Sequence, residues 1–179
     1  TQSFFSDVVT GLSDKYKPIK AWSPIGAFTK AQTLFKQAYD KFKGKFDEHI
    51  ATSIPMFRET QIKVGNALVS MLGKKGGLIY DIGGSEGGFV KAITQQSEGK
   101  IKSINLEPNP NMKAAHNVNP VSGSKIIQEA FHAPFTENGV TYKAHVPTEK
   151  ADVVHESMVF QFITPEREAF VQEVADKYL

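Results

Sequence analysis

The segment "YDIGGSEGGF", Tyr80 to Phe89, constrains this chain more than any other: four glycines, a serine and two acids in ten residues, directly after Leu78 and Ile79. Glycine reaches positive φ without strain and carries no Cβ. Such a run after an apolar strand therefore permits a tight turn and lets backbone N–H groups of a following helix approach a polar ligand. Three templates compete for it. The dinucleotide fingerprint G-x-G-x-x-G needs a glycine where Ser85 stands. The nucleophile elbow G-x-S-x-G fits Gly83-Gly84-Ser85-Glu86-Gly87 literally and makes Ser85 a candidate nucleophile. The elbow also needs an acid and then a later histidine, whereas Asp152 and His155 crowd one predicted strand and no histidine follows. The third template is a backbone cradle for a nucleotide-like cofactor.

The surroundings of the loop decide the architecture. "LIYDIG" reads as a strand, "GGFVKAITQQ" as a helix, "IKSINLE" as a strand, "PNMKAAHN" as a short helix, "KIIQEA" and "ADVVHESM" as strands, and "TPEREAFVQEVADKYL" as a helix. Thr164 and Pro165 suit the start of that last helix, with Phe170, Val171, Val174 and Tyr178 on one side. Strand and helix alternating in this rhythm predict an α/β fold with a Rossmann-like parallel sheet. Upstream, "PMFRETQIKVGNALVSMLGKKGG" places Val64, Ala67, Leu68, Met71 and Leu72 on one helical face and Gly73 as its stop. Leu34, Phe35, Tyr39, Phe42 and Phe46 recur near helical spacing and predict an amphipathic helix in an N-terminal arm over residues 1–45. Between Phe131 and Lys150 the chain reads as a loop with a hairpin at Asn138–Gly139.

Glu107 separates the templates. It ends the second strand, about one βα unit or roughly 20 residues beyond the loop, where a carboxylate can accept both hydroxyls of a ribose. Loop and acid together point to a nucleoside site, and Ser85 becomes a cradle residue.

With Asp81 before the glycines and Glu107 at the end of the next strand, the segment resembles motifs I and II of class I S-adenosylmethionine-dependent methyltransferases. "FDEHIATSIPMFRETQ", "LIYDIGGSEGGF", "NLEPNPNM" and "SMVFQFITPEREAFVQEV" together look most like the carboxy-S-adenosylmethionine synthase branch. The resemblance covers roughly Phe46 to Leu179, a Rossmann-like domain of residues 46–179 that follows the arm of residues 1–45. It implies S-adenosyl-L-methionine or S-adenosyl-L-homocysteine as cofactor. Gly83, Gly84, Ser85 and Gly87 would lie in the Gly83–Gly88 loop around its methionine part, supported by Asp81. Glu107 would take the ribose, with Pro108 following it. Phe57 stands where the branch has a contacting Tyr, and Ser157 where it has Asn. Ala130 and Phe131 stand where the family often has an acid for the adenine amino group; Glu129 is one residue away.

A class I domain has seven strands, and this chain ends in the helix after the fourth. The expectation is a first half of such a domain, completed by further sequence, by a second chain or homo-oligomer on the fourth-strand edge, or retained as a non-catalytic module.

Methyl transfer is a displacement at an already activated carbon, so the protein chiefly positions the reactants and supplies a base where the acceptor needs one. Glu156, at the end of the fourth strand, is the candidate catalytic base; His155 reads as a packing or hydrogen-bonding residue, and Trp22 and Phe28 as anchors. The histidines show no metal-ligand spacing.

A net charge of +2 with scattered lysines gives no basic block for nucleic acid or a membrane surface, so charge advertises no partner; a small-molecule substrate is what the resemblance implies. An RNA ribose methyltransferase, suggested by the D-x-G-x-x-x-G-G-F form of the loop, is the weaker reading. The absence of cysteine removes thiol chemistry and disulfides. No apolar run of about 18 residues predicts a membrane span, and the cytoplasm is the expected location.

Overall fold

A computed structural model describes residues 46–131, 134–137, 139–157 and 167–179. The predicted arm, Trp22, Phe28, Asn138 and the Thr164–Pro165 start of the last helix lie outside them. Among the described residues two helices, α1 (Phe46–Ser53) and α2 (Phe57–Leu72), precede strand β1 (Gly77–Ile82). Then come α3 (Gly88–Gln96), β2 (Ile101–Leu106), α4 (Pro110–Val118) and β3 (Ser124–Ile127). A hairpin of β4 (Phe135–Glu137) and β5 (Val140–Tyr142) follows, then β6 (Val153–Glu156) and α5 (Arg167–Tyr178). The four longer-range strands form one parallel sheet in the order β3-β2-β1-β6, a Rossmann-like α/β arrangement.

The sheet is covered on both faces, and alternation along β1 decides what goes where. Leu78, Tyr80 and Ile82 pack with Ile104, Leu106, Phe131, Ala151, Val174 and Tyr178 on the α5 side. Ile79 packs with Leu68, Leu72, Val90, Ile93 and Ile101 on the side of α2 and α3. A strand buried on both faces reads as a continuous apolar run, which is why "LIYDI" stands out in the sequence. Asp81 shares the Ile79 face and is 1% exposed, a buried acid in an otherwise apolar strand.

Two details of the helices differ from the expected pattern. On α2 the buried positions are Gly65, Leu68 and Leu72, whereas Val64 and Met71 are exposed. Gly65 faces α3, where a Cβ would meet Phe89 and Ile93 at 3.6 Å in ordinary van der Waals contact, so the inward line of α2 runs through a residue with no side chain of its own. Gly73 caps the helix end as expected, but it keeps right-handed helical dihedrals, and the left-handed turn falls at Gly76, whose φ is +78° and whose N–H bonds the Leu72 carbonyl. On α5, Val174 and Tyr178 face inward as expected and Val171 is exposed. The start of α4 follows the rule for helix entry, with Pro110 in the first turn and the Asn109 side chain accepting from the Asn111 N–H at 2.9 Å.

The β4–β5 hairpin forms where the sequence predicted it, with Glu137 paired to Val140 and Gly139 at φ +76°. It is joined to the domain by a bridge between Ala130 and Ala144.

Candidate functional site

Because all four strands are parallel, their carboxyl ends meet at one edge. There Gly83 follows β1, Glu107 follows β2, Glu129 lies just past β3, and Glu156 ends β6. Chain order runs outward from β1 to β2 and β3, and β6 lies on the other side of β1. This reversal opens a crevice at the end of β1, the place where open α/β sheets hold ligands.

The glycine loop is fixed from below by Asn105. This residue of β2 is fully buried; its Oδ1 accepts from the Gly84 N–H at 3.2 Å and its Nδ2 donates to the Ser85 carbonyl at 2.8 Å. The loop bends through three left-handed residues, Gly83 (φ +64°), Ser85 (φ +52°) and Gly87 (φ +75°). Gly83 donates to the Leu106 carbonyl and Gly87 to that of Gly84. At Gly84 the reason for glycine is space, since a Cβ would lie 2.1 Å from Asp81 Oδ2. At Gly87 it is both, because a Cβ would lie 2.6 Å from His116 Nδ1.

Ser85 takes the strained left-handed conformation of a nucleophile elbow, but its hydroxyl is buried and donates to the sulfur of Met112 at 3.2 Å. It points into α4, so what Ser85 offers the crevice is backbone. His116 of α4 closes the loop from the same side: its Nδ1 contacts the Glu86 carbonyl at 3.0 Å, and the His116 carbonyl accepts from Lys91 Nζ. Burial, followed by the Lys91 ammonium, holds the His116 imidazole below its usual range, partly offset by the Glu86 carbonyl.

Asp81 meets its partner across the sheet. It is in register with His155 of β6, and His155 Nδ1 donates to Asp81 Oδ1 at 2.7 Å. The Phe89 ring lies 4.2 Å from the imidazole, centroid to centroid, at 31°. Asp152, the other supposed triad member, is engaged elsewhere: its carboxylate accepts from the Leu78 N–H at 2.9 Å and staples the start of β6 to β1.

Glu107 is buried, accepts from the Asn109 N–H at 3.0 Å through Oε1, and donates its own N–H to the Ile127 carbonyl. Pro108 beside it is half-buried. Ala130 and Phe131 follow β3 but turn into the core, with 1% and 3% exposure. Both backbone polar groups of Ala130 bond the strand around Ala144, and the Phe131 carbonyl accepts from Tyr178 and Lys177. Glu129 stays nearer the surface and accepts from His145 Nδ1 at 2.6 Å. Since Nδ1 carries that proton, Nε2 of a neutral His145 accepts from the buried Tyr80 hydroxyl at 3.3 Å.

On the β6 side of the crevice lies a cleft of about 400 Å³ lined by Ile54, Phe57, Thr60, Gln61, Val64, His155, Glu156 and Ser157. The sequence-derived candidates Phe57, Glu156 and Ser157 thus share one wall system, adjoining Asp81 through His155. Asp81, Gly83, Gly84, Ser85 and Gly87 form a second cluster, and Glu107 with Pro108 a third on the neighbouring strand end. Sequence reasoning missed Asn105 as the brace of the loop and Asp81–His155 as a pair; an Asn inside an apolar strand was the available signal for the first. Among the described residues no cluster of His, Asp and Glu could hold a metal ion, and no helix is long and apolar enough to cross a membrane.

No family model matches the chain, and a search of curated proteins gave no match either. Solved structures do share its fold. The plantazolicin methyltransferase BpumL, in complex with a pentazolic desmethylPZN analogue and SAH, superposes with TM-score 0.58 at 18% identity, covering 87% of this chain and 55% of its own. Magnesium protoporphyrin IX methyltransferase (ChlM) from Synechocystis PCC 6803, with bound SAM, gives 0.53 at 15%, covering 89% of this chain and 74% of that one. YjhP from E. coli gives 0.51 at 17%, covering 70% and 46%. At these identities the likeness is one of fold, and the chain spans about half the length of BpumL and YjhP.

Proposed function

We propose that this chain binds S-adenosylmethionine at the Gly83–Gly88 loop and serves methyl transfer to a small molecule. One observation carries the reading: a glycine loop braced on Asp81 and Asn105 at the end of β1 stands beside a buried carboxylate, Glu107, at the end of the adjacent β2. The residues suit the cofactor chemically. Glu107 offers acceptor oxygens to a diol, the left-handed loop offers main-chain groups to the amino-acid part, and Glu129 offers an acid at the next strand end for an exocyclic amine. BpumL with SAH and ChlM with SAM, methyltransferases of the same fold, support the choice. When bound, the cofactor supplies a methyl group on a positively charged sulfur. Glu156 places a carboxylate in the cleft on the β6 side, which Phe57 and Ser157 also line.

Titration calorimetry with S-adenosylhomocysteine tests the reading. Binding is expected for the wild type, weakened about tenfold to a hundredfold in Glu107→Ala by loss of a charge-assisted hydrogen bond. No heat with the wild type, or unchanged affinity in Glu107→Ala, would overturn it. The finer affinity to the carboxy-S-adenosylmethionine synthase branch rests on the four quoted segments. Competition between S-adenosylhomocysteine and carboxy-S-adenosylmethionine in the same calorimeter tests that point.

A further inference from the structure

Asp81 backs the glycine loop, but its partner His155 has no part in cofactor binding as described, and the geometry of the pair is that of an oriented base. Asp81 is buried and accepts a hydrogen bond from Nδ1–H at 2.7 Å, which fixes the tautomer and leaves Nε2, with its lone pair, as the nitrogen available to a ligand. Phe89 holds the ring from one side. His155 is also a lining residue of the cleft, whose other walls include the apolar side chains of Ile54, Phe57 and Val64. A cleft of about 400 Å³ is at the small end for a ligand pocket and suits a compact ring.

We infer that this cleft takes a small phenol as methyl acceptor and that His155 Nε2 is the base that removes its proton. The inference rests on the methyl-transfer reading above. The phenolic O–H proton passes to Nε2, and the oxygen bonds to the methyl carbon as the carbon–sulfur bond breaks. That electron pair stays on sulfur, giving a neutral thioether. The imidazolium so formed is stabilised by Asp81 until it releases its proton to solvent.

His155→Asn is the informative variant, because the Asn amide can still donate to Asp81 from the Nδ1 position while the Nε2 lone pair is gone. Catechol is the probe acceptor, and thiophenol, ionised near neutral pH, is an acceptor that needs no base. The variant is expected to bind S-adenosylhomocysteine as the wild type does, to transfer methyl to catechol about a hundredfold more slowly, and to methylate thiophenol within about twofold of wild type. Independently of turnover, catechol added to the protein without cofactor should shift the side-chain nitrogen resonance of His155 Nε2 and leave Nδ1 unmoved.

Any of four results would overturn the inference: no change at Nε2 with catechol; equal loss towards catechol and thiophenol in His155→Asn; S-adenosylhomocysteine binding with no methylation of either probe; or loss of catechol transfer in Glu156→Gln with His155→Asn inert. Catechol shifting Nε2 in a protein that fails to bind S-adenosylhomocysteine would support the His155 site and overturn the cofactor reading instead.

Discussion

Oδ2 of Asp81 occupies the space that a side chain at Gly84 would need, lying 2.1 Å from the Cβ position, with Asn105 Oδ1 a further constraint at 2.8 Å. Neither neighbour is the far end of a flexible chain: Asp81 is tied to His155 and Asn105 to the loop itself. Gly84→Ala should therefore destabilise the fold by about 1–3 kcal/mol as an overpacked substitution. It should also abolish S-adenosylhomocysteine binding. Urea unfolding and calorimetry on the same preparation check both, and an alanine variant of wild-type stability would refute the steric argument.

Asn105 makes two buried bonds to the loop with opposite ends of its amide. Asn105→Asp keeps the acceptor, loses the donor to Ser85, and sets a second carboxylate near Asp81. Asn105→Ser loses reach at both ends and adds no charge. Each unpaired buried group costs about 1–3 kcal/mol, so both variants lose stability, and the aspartate variant should lose more at neutral pH. The order of their denaturant midpoints decides the point.

His116 gives the loop a pH dependence with a definite sign. Its folded pKa lies below the ordinary 6.5 because burial and Lys91 disfavour the imidazolium. As pH falls from about 7 towards 5, the unfolded chain takes up a proton that the folded chain refuses, and stability falls. The effect is absent at pH above the unfolded value. His116→Gln should flatten the stability profile over this interval; an unchanged slope would assign the acid loss to other groups.

Tyr178 donates its hydroxyl to the Phe131 carbonyl at 2.6 Å, and its ring packs 5.0 Å from that of Tyr80. Lys177 donates to the same carbonyl, so Tyr178→Phe leaves that oxygen satisfied and should cost about 1 kcal/mol. Tyr178→Ala opens a fully buried site and should cost about 3–5 kcal/mol. Thermal unfolding of the pair distinguishes ring from hydroxyl.

The sheet was legible because its inner strands are covered on both sides and therefore spell apolar runs, and because glycine, proline and Asn109 mark the turns between elements. The loop and Glu107 were legible for the same reason: local spacing places them at adjacent strand ends. Asp81–His155 was not, since its register depends on how β6 pairs with β1 across the intervening chain. The turn of Ser85 towards Met112 and of Ala130 and Phe131 into the core likewise depends on packing partners with no sequence neighbourhood in common. The inward face of α2 was misjudged because Gly65, which carries no hydrophobicity, marks the line of closest approach.

Asp81 and His155 stand 74 residues apart in the chain, yet they close one hydrogen bond at the mouth of the cleft. The β1–β6 pairing that brings them together must pay the entropy of ordering everything between, β2, β3 and the hairpin included. Local helices and the glycine turn can form while that long loop is still open. The cleft exists only where β6 has paired with β1, so a ligand that fills it recognises the assembled sheet and not its separate parts.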